Sequence, residues 1–309
     1  MYSVSEDSVR FSRLKEIQSI HFFEKFPDDA RFIDVQKQLG EILTTIKKET
    51  EKDEFNYYRQ QLNAKYKNLK FYMNGRRNPP LSFIRELEDI TRKLNLNIEI
   101  EKLFNNVSVR FGHGGNAATA RLPIIMTTEL AYLVGAMRDG TLARSGKYEI
   151  SYSQKNVEWL KIIKNLLMQT FQPSNELAIR NDRVTLSNRP IFEYLHRIFD
   201  IPIGKKDQWE TPKIIKNSSL ELQRYYIRGF YDADGLSWQL GFCQVNKEAI
   251  GFVKETLEKL GIKTGKLSVR KIKNKKPLYS FNTLWKSRHD FIRLIGSLNP
   301  SKRKLFFPT

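Results

Sequence analysis

Asp139 and Asp234 each end a short apolar stretch and are each followed by glycine. The second stretch reads Ile227-Arg-Gly-Phe-Tyr-Asp-Ala-Asp-Gly235; the first is a looser version, Ala131-Tyr-Leu-Val-Gly-Ala-Met-Arg-Asp-Gly140. Ala131, Gly135 and Asp139 recur at every fourth residue. So do Tyr225, Gly229 and Ala233, with Asp234 one residue on. Residues four apart share a helix face, and small residues on that face let two helices approach closely. The glycine after each aspartate suits a left-handed cap. A helix C-terminus carries partial negative charge, so a carboxylate there is poorly placed, and a second one nearby adds repulsion. A divalent cation with oxygen ligands, Mg²⁺ or Mn²⁺, relieves both problems. Bridging the two carboxylates and a phosphate, it can activate water and stabilise the leaving 3′ oxygen of a phosphodiester. The pattern predicts Asp139 and Asp234 as catalytic metal ligands on a nucleic-acid substrate.

A duplicated unit brings two such acids together, and the chain repeats after residue 121. Gln154, Asn156, Glu158, Lys164 and Leu167 align with Gln244, Asn246, Glu248, Lys254 and Leu257 at a constant spacing of 90. Further on, Lys205 aligns with Lys302. In each unit an aspartate-bearing helix leads into a strand of alternating character. These strands carry Tyr148, Ile150 and Tyr152 in the first unit, and Trp238, Leu240 and Phe242 in the second. Gln154 and Gln244 close them. An amphipathic helix follows (157–171 and 247–260). Next come hairpins at 177–180 with 183–187 and at 266–272 with 278–284, then a last helix (190–199 and 287–297). This is an α+β pattern with one exposed sheet face. Gln154 and Gln244 can orient attacking water, while Lys155, Lys205 and Lys302 can stabilise transition-state charge.

The bulk composition points the same way. The 309 residues carry a net charge of +19, which favours a polyanionic partner. Residues 1–120 contribute only +3, and residues 121–309 contribute +16. The last 48 residues hold 13 basic side chains against the single acid Asp290, interleaved with Tyr279, Phe281, Trp285 and Phe291. Alternation on the strands nominates Lys147, Glu149, Ser151, Arg180, Arg183, Thr185, Gln239, Lys266, Ser268, Arg270, Ser280 and Asn282 as DNA-facing positions. Lys205, and Arg303 in the cluster Pro300-Ser-Lys-Arg-Lys304, suit phosphates. Cys243 is the one cysteine, which excludes a disulfide framework and a cysteine-based zinc site. His21, His113, His196 and His289 show no metal-ligand spacing. No signal-peptide or membrane-spanning pattern is present, so an intracellular setting is expected.

Residues 1–120 read as a mainly helical N-terminal domain, with Ile33, Val35, Leu39, Ile42, Leu43 and Ile46 at helical spacing. A possible helix-turn-helix lies at 64–96. Tyr66, Leu69 and Tyr72 precede the turn signal Asn74-Gly75, and Pro79-Pro80 opens a helix bearing Leu81, Ile84, Leu87, Ile90 and Leu94. Any αα-hairpin shares these features. The segment 112–123 is the clearest linker and marks the domain boundary.

Residues 127–309 resemble the LAGLIDADG homing endonucleases in their single-chain, two-motif form. The resemblance rests on Gly229-Phe-Tyr-Asp-Ala-Asp234-Gly235, the strings Ser-Gln154-Lys155-Asn and Gln244-Val-Asn-Lys, and Ile295-Gly-Ser-Leu-Asn-Pro-Ser-Lys302. It implies two pseudo-twofold-related αββαββα units, with halves at about 121–217 and 218–309. Their saddle of antiparallel strands would sit in the DNA major groove, and Asp139 and Asp234 would inherit the metal-binding role. A monomer making a double-strand break with short 3′ overhangs, associated with intron homing, is the implied activity. In the usual motif the aspartate lies five residues after the glycine, as in Gly229 to Asp234, but Gly135 to Asp139 is only four. Either Val134 replaces the glycine at the helix contact or the helix shifts register near its end; Arg138 also departs from the motif. Two alternatives stay open: a DNA-binding regulator with weak or no cleavage, and an RNA maturase assisting splicing. The ends, Met1-Tyr-Ser and Phe-Phe-Pro-Thr309, point away from an intein.

Overall fold

The computed structural model describes residues 22–50, 68–96, 98–104, 107–112, 117–144, 147–205, 207–236, 239–271 and 273–306, together with residues 56 and 60. Residues 1–21, Tyr66, the centre of the 112–123 linker with His113, Trp238 and the last three residues lie outside the described residues.

The described part of the N-terminal unit opens with α1 (Phe22–Lys25), β1 (Ala30–Ile33) and α2 (Gln36–Thr50). It continues with α3 (Leu69–Met73), α4 (Leu81–Lys93), α5 (Ile100–Leu103), β2 (Val107–Phe111) and β3 (Thr119–Leu122). The three strands form an antiparallel sheet in the order β1-β2-β3, with Phe32 opposite Val109 and Val109 opposite Ala120. This sheet corrects the expectation that Ile33 and Val35 belong to the first helix. Ile33 ends β1, and the left-handed Asp34 turns the chain before α2 starts at Gln36. The nominated helix pair is α3 and α4. Their connection, 74–80, opens with the expected turn at Asn74-Gly75, where Gly75 is left-handed, and then runs to Pro80, which bridges Arg31. α4 buries Leu81, Phe83, Ile84, Leu87 and Ile90.

The remainder is two related units. In the first, α6 (Thr128–Ala136) leads into β4 (Gly140–Ala143) and β5 (Glu149–Ser153), α7 (Val157–Phe171), β6 (Ala178–Arg180), β7 (Arg183–Ser187) and α8 (Arg189–Ile198). Its sheet is open and antiparallel, in the order β4-β5-β7-β6. A joining segment carries the short helix α9 (Lys213–Lys216). The second unit has α10 (Leu220–Asp234), β8 (Gly241–Gln244), α11 (Lys247–Lys259), β9 (Ser268–Arg270), β10 (Leu278–Asn282), α12 (Arg288–Leu294) and α13 (Pro300–Lys304). Its sheet runs β8-β10-β9. The fold class is α+β, as expected, but the units are not equal. Among the described residues the second unit's counterpart of β4 is one bridge between Leu236 and Gly241. Gln239 and Leu240 form a turn there, with Leu240 left-handed, and not the start of a long strand. Tyr148 likewise precedes β5 in a left-handed conformation.

Side-chain alternation sets the sheet faces. Phe242 and Phe281 stack across β8 and β10 on the buried face, while Cys243, Ser280 and Ser268 sit in register on the other. In the first unit Ile150 and Leu186 face the core, paired across β5 and β7. Asn156 and Asn246 cap α7 and α11, accepting from the main-chain N–H of Trp159 and Ala249 at 3.0 Å. The repeated Gln-x-Asn is thus a strand end two residues before a helix cap, and this geometry fixes where each glutamine points.

Candidate metal and nucleic-acid site

α6 and α10 make the most extensive contact between any two described elements. A Cβ on Gly135 would lie 2.0 Å from the Tyr226 carbonyl oxygen, and one on Gly229 would lie 2.0 Å from that of Tyr132. The two contacts are mirror counterparts at a spacing of 94. Gly135, and not Val134, is therefore the glycine of the first motif, and the register shift comes later in the helix. α6 ends at Ala136. Beyond it Arg138, Asp139 and Gly140 donate in turn to the carbonyls three residues back, those of Gly135, Ala136 and Met137. In α10 the α pattern persists, and Gly235 donates to Tyr231 four residues back. Four residues of ideal 3₁₀ geometry turn about 480° and rise about 8 Å, against about 500° and 7.5 Å for five α-helical residues. The tightened turn compensates for the missing residue and returns Asp139 to nearly the azimuth of Asp234.

The helix ends converge. Gln154 Nε2 donates to Asp139 Oδ2 and to the Ala233 carbonyl, both at 3.1 Å, so one amide joins the first acid to the residue before the second. Gln244 Nε2 donates to Asp234 Oδ2. Lys302, with 7% of its surface exposed, donates to the Gly235 carbonyl at 2.9 Å and to that of Tyr231. Burial brings its ammonium down to about 8, while the charges of Asp232, Asp234 and Asp139 oppose that drop. Both site acids thus act on the same cation.

Behind this layer lies a buried network that sequence reasoning missed. Tyr132 and Tyr226 are 94 apart, and so are Arg138 and Asp232. Tyr132 Oη donates to Asp232 Oδ2 at 2.7 Å, and Arg138 Nη2 donates to Tyr226 Oη at 2.7 Å. The same pseudo-twofold contact is made with opposite charge. Asp232 is fully buried and also accepts from Ser297 Oγ and from the Leu298 main-chain N–H. Burial pushes its carboxyl up, and these bonds pull it back. Trp159 Nε1 donates to Tyr132 Oη at 2.8 Å. The equal register of the two tyrosines was the available signal.

Of the other nominated residues, Lys155 is exposed and borders an open cavity with Asp139, Gln154 and Arg183. Arg183 Nε donates to Ser153 Oγ at 3.1 Å. Arg180, Lys147, Thr185, Lys266, Ser268, Arg270, Asn282 and Arg303 are exposed or half-exposed, as are Glu149, Ser280 and Gln239. Ser151 is 3% exposed, covered as the middle residue of a central strand between Thr141 and Thr185. Lys205 does not take Lys302's place. It is exposed and lines a separate cavity with Asp200 and Trp209 in the joining segment.

The carboxylates of Asp139 and Asp234 are hard oxygen donors, a type that would suit Mg²⁺ or Mn²⁺. Among the described residues no group of three or more His, Cys, Asp and Glu side chains is assembled to hold a metal. Water and phosphate would complete the shell. No described helix is long and apolar enough to cross a membrane.

Two motif helices packed glycine to backbone, their ends joined through Gln154, together with open antiparallel sheets define a LAGLIDADG-type architecture. The homing endonuclease I-ApeI of Aeropyrum pernix is 32% identical over 148 residues, covering 43% of this chain and 67% of that protein. This chain belongs to the LAGLIDADG homing endonuclease family. No family model matches it. Similar solved structures include I-DmoI in complex with DNA and Mn (16% identity, TM-score 0.42, 55% of this chain and 96% of that one). I-DmoI in complex with DNA and Ca gives 16% identity and a TM-score of 0.43, covering 58% and 96%.

Proposed function

We propose that this chain is a site-specific endonuclease that cuts double-stranded DNA as a monomer, by Mg²⁺-dependent hydrolysis leaving short 3′ overhangs. The observation that carries this reading is the single amide of Gln154 joining the Asp139 carboxylate to the end of α10. Asp139 and Asp234 would hold the metal, which when bound would supply Lewis acidity for phosphodiester hydrolysis. Gln154 and Gln244 orient water beside each acid. Lys155 and Lys302 offset negative charge as it builds on the phosphate. Lys147, Arg180, Arg183, Gln239, Lys266 and Arg270 approach the DNA from the two sheets, and Lys205 and Arg303 approach it from the flanks. One chain suffices, because its two units already supply both carboxylates.

We further read residues 1–120 as a supporting unit and residues 121–217 and 218–309 as the two halves. The boundary passes through β3, which pairs with β2 and also packs on α7 and α8. The α3–α4 pair packs against α2 and β1 of the same unit. The exposed side of α4 carries Glu88 and Asp89 beside Arg92 and Lys93, a surface of mixed charge.

The test uses the uninterrupted form of the chain's own locus, incubated with the protein and Mg²⁺, with the ends mapped. Wild type should leave a double-strand break at one position. Asp234→Asn and Asp139→Asn should bind the same DNA within about twofold and lose cleavage by at least about a hundredfold. Uncut locus DNA in both Mg²⁺ and Mn²⁺ would refute the proposal.

A further inference from the structure

We propose that Arg138 is a positioning residue for Asp139, tethered by Trp209 of the joining segment, and that this tether governs cleavage of one DNA strand separately from the other. The inference rests on the nuclease reading above. Arg138 is 7% exposed and immediately precedes Asp139 in the 3₁₀ turn. Its guanidinium carbon lies 4.0 Å from the Trp209 ring centroid and 4.9 Å from that of Phe230. Nη1 donates to the Trp209 carbonyl at 2.7 Å, and Nη2 and Nε donate to Tyr226 Oη at 2.7 and 3.2 Å.

A 3₁₀ turn has poorer hydrogen-bond geometry than an α-helix, and its last residue carries the acid. A planar fork gripped by two rings, a carbonyl and a hydroxyl ties that turn to two elements, the joining segment and α10. The second acid is held differently. Asp232, in the register of Arg138, is anchored to Ser297 and Leu298 of the C-terminal segment. Both grips cross the helix pair, through Tyr226 and Tyr132, but outside it they end on different segments, the joining segment for Arg138 and the C-terminal segment for Asp232, so loosening the first should disturb the second acid less. Trp209 Nε1 in turn donates to the Phe199 carbonyl at 3.2 Å, which fixes the ring that grips Arg138.

The experiment follows a supercoiled plasmid with one target site through nicked to linear product. With Arg138→Met, the first cut should proceed near the wild-type rate. Conversion of nicked to linear DNA should fall about ten- to a hundredfold, the loss expected for an acid displaced by about 1 Å. All nicks should map to one strand, with the DNA Kd within about twofold of wild type. Arg138→Lys, which keeps the cation between the rings, should recover part of the second cut. Trp209→Leu, outside the helix crossing, should give the same strand bias and serves if Arg138→Met does not fold. Equal slowing of both strands, or nicks divided between them, would overturn the inference and leave the nuclease reading intact. A wild-type protein that cuts neither strand would instead refute the nuclease reading.

Discussion

Lys302 sits on the last turn of α10, donating to two carbonyls at a helix end where the backbone is partly negative. Even so, burial dominates, and its ammonium titrates near 8, well below an exposed lysine. The unfolded chain keeps that proton up to about pH 10.4. The folded state therefore binds fewer protons than the unfolded state between about 8 and 10.4, and stability rises with pH through that window. The gain is of the order of 3 kcal/mol for a shift of this size. Urea titrations at pH 8 and pH 10 should show wild type gaining relative to Lys302→Met; parallel behaviour of the two proteins would refute this. Cys243 offers a second test. It is half-buried on the outward row of β8, one residue before Gln244, and burial followed by the Asp234 charge raises its thiol. Alkylation should accordingly be slow at pH 8 and faster at pH 9. Target DNA with Ca²⁺ should protect the thiol by about tenfold or more if the second sheet lies on DNA, and undiminished labelling would place DNA elsewhere. The Asp and Gln pairs were legible because duplication repeats them with the same type and order. The Arg138–Asp232 pair was not, because only the position repeats while the charge reverses.

The helix crossing depends on two residues without side chains. A methyl group at Gly135 or Gly229 would sit 2.0 Å from a carbonyl oxygen of the partner helix, far inside contact distance. The obstacle is backbone, so the helices themselves must separate. Gly135→Ala and Gly229→Ala should each cost about 1–3 kcal/mol or more, by pseudo-symmetry in similar amounts. In thermal unfolding this is roughly 2–4 °C per kcal/mol for a unit of this size. Cleavage should fall further than stability, since both acids end these helices. A fully active, equally stable Gly229→Ala protein would contradict the crossing. The helices α7, α8 and α11 could be read from periodicity alone, within a residue or two of their ends. The short strands were harder. Val107-Ser-Val-Arg-Phe111 alternates with period two, and its buried Val107, Val109 and Phe111 follow that alternation. The signal was present beside stronger helical patterns. β4 was unreadable for a different reason: it starts at Gly140, the residue that also reads as the cap of α6.

At the scale of the whole molecule, charge and packing divide the work unequally. The N-terminal unit is bound to the first half through its core. Phe22 contacts Tyr194, Arg189 lies 3.9 Å from the Phe111 ring centroid and pairs with Asp29, and Asn188 Nδ2 donates to the Thr119 carbonyl. Residues 1–120 nevertheless carry only +3 of the total charge, and residues 121–309 carry +16. Binding to DNA releases condensed counterions, and log K falls against log salt by about 0.9 for each phosphate neutralised. If the sheets and the C-terminal cluster hold the DNA, removing a phosphate contact there should shallow that slope by about one, and removing exposed cations from α4 should not. The 309-residue chain carrying Arg183→Ala and the same chain carrying Arg92→Ala with Lys93→Ala are the pair to compare. All three positions are exposed, so neither protein should have a disturbed core. Titration of target DNA from about 50 to 200 mM salt should give a reduced slope for the first protein and the wild-type slope for the second. A reduced slope for the second would mean that the α3–α4 pair also touches the duplex, and the N-terminal unit would then be a DNA-binding element and not only a support.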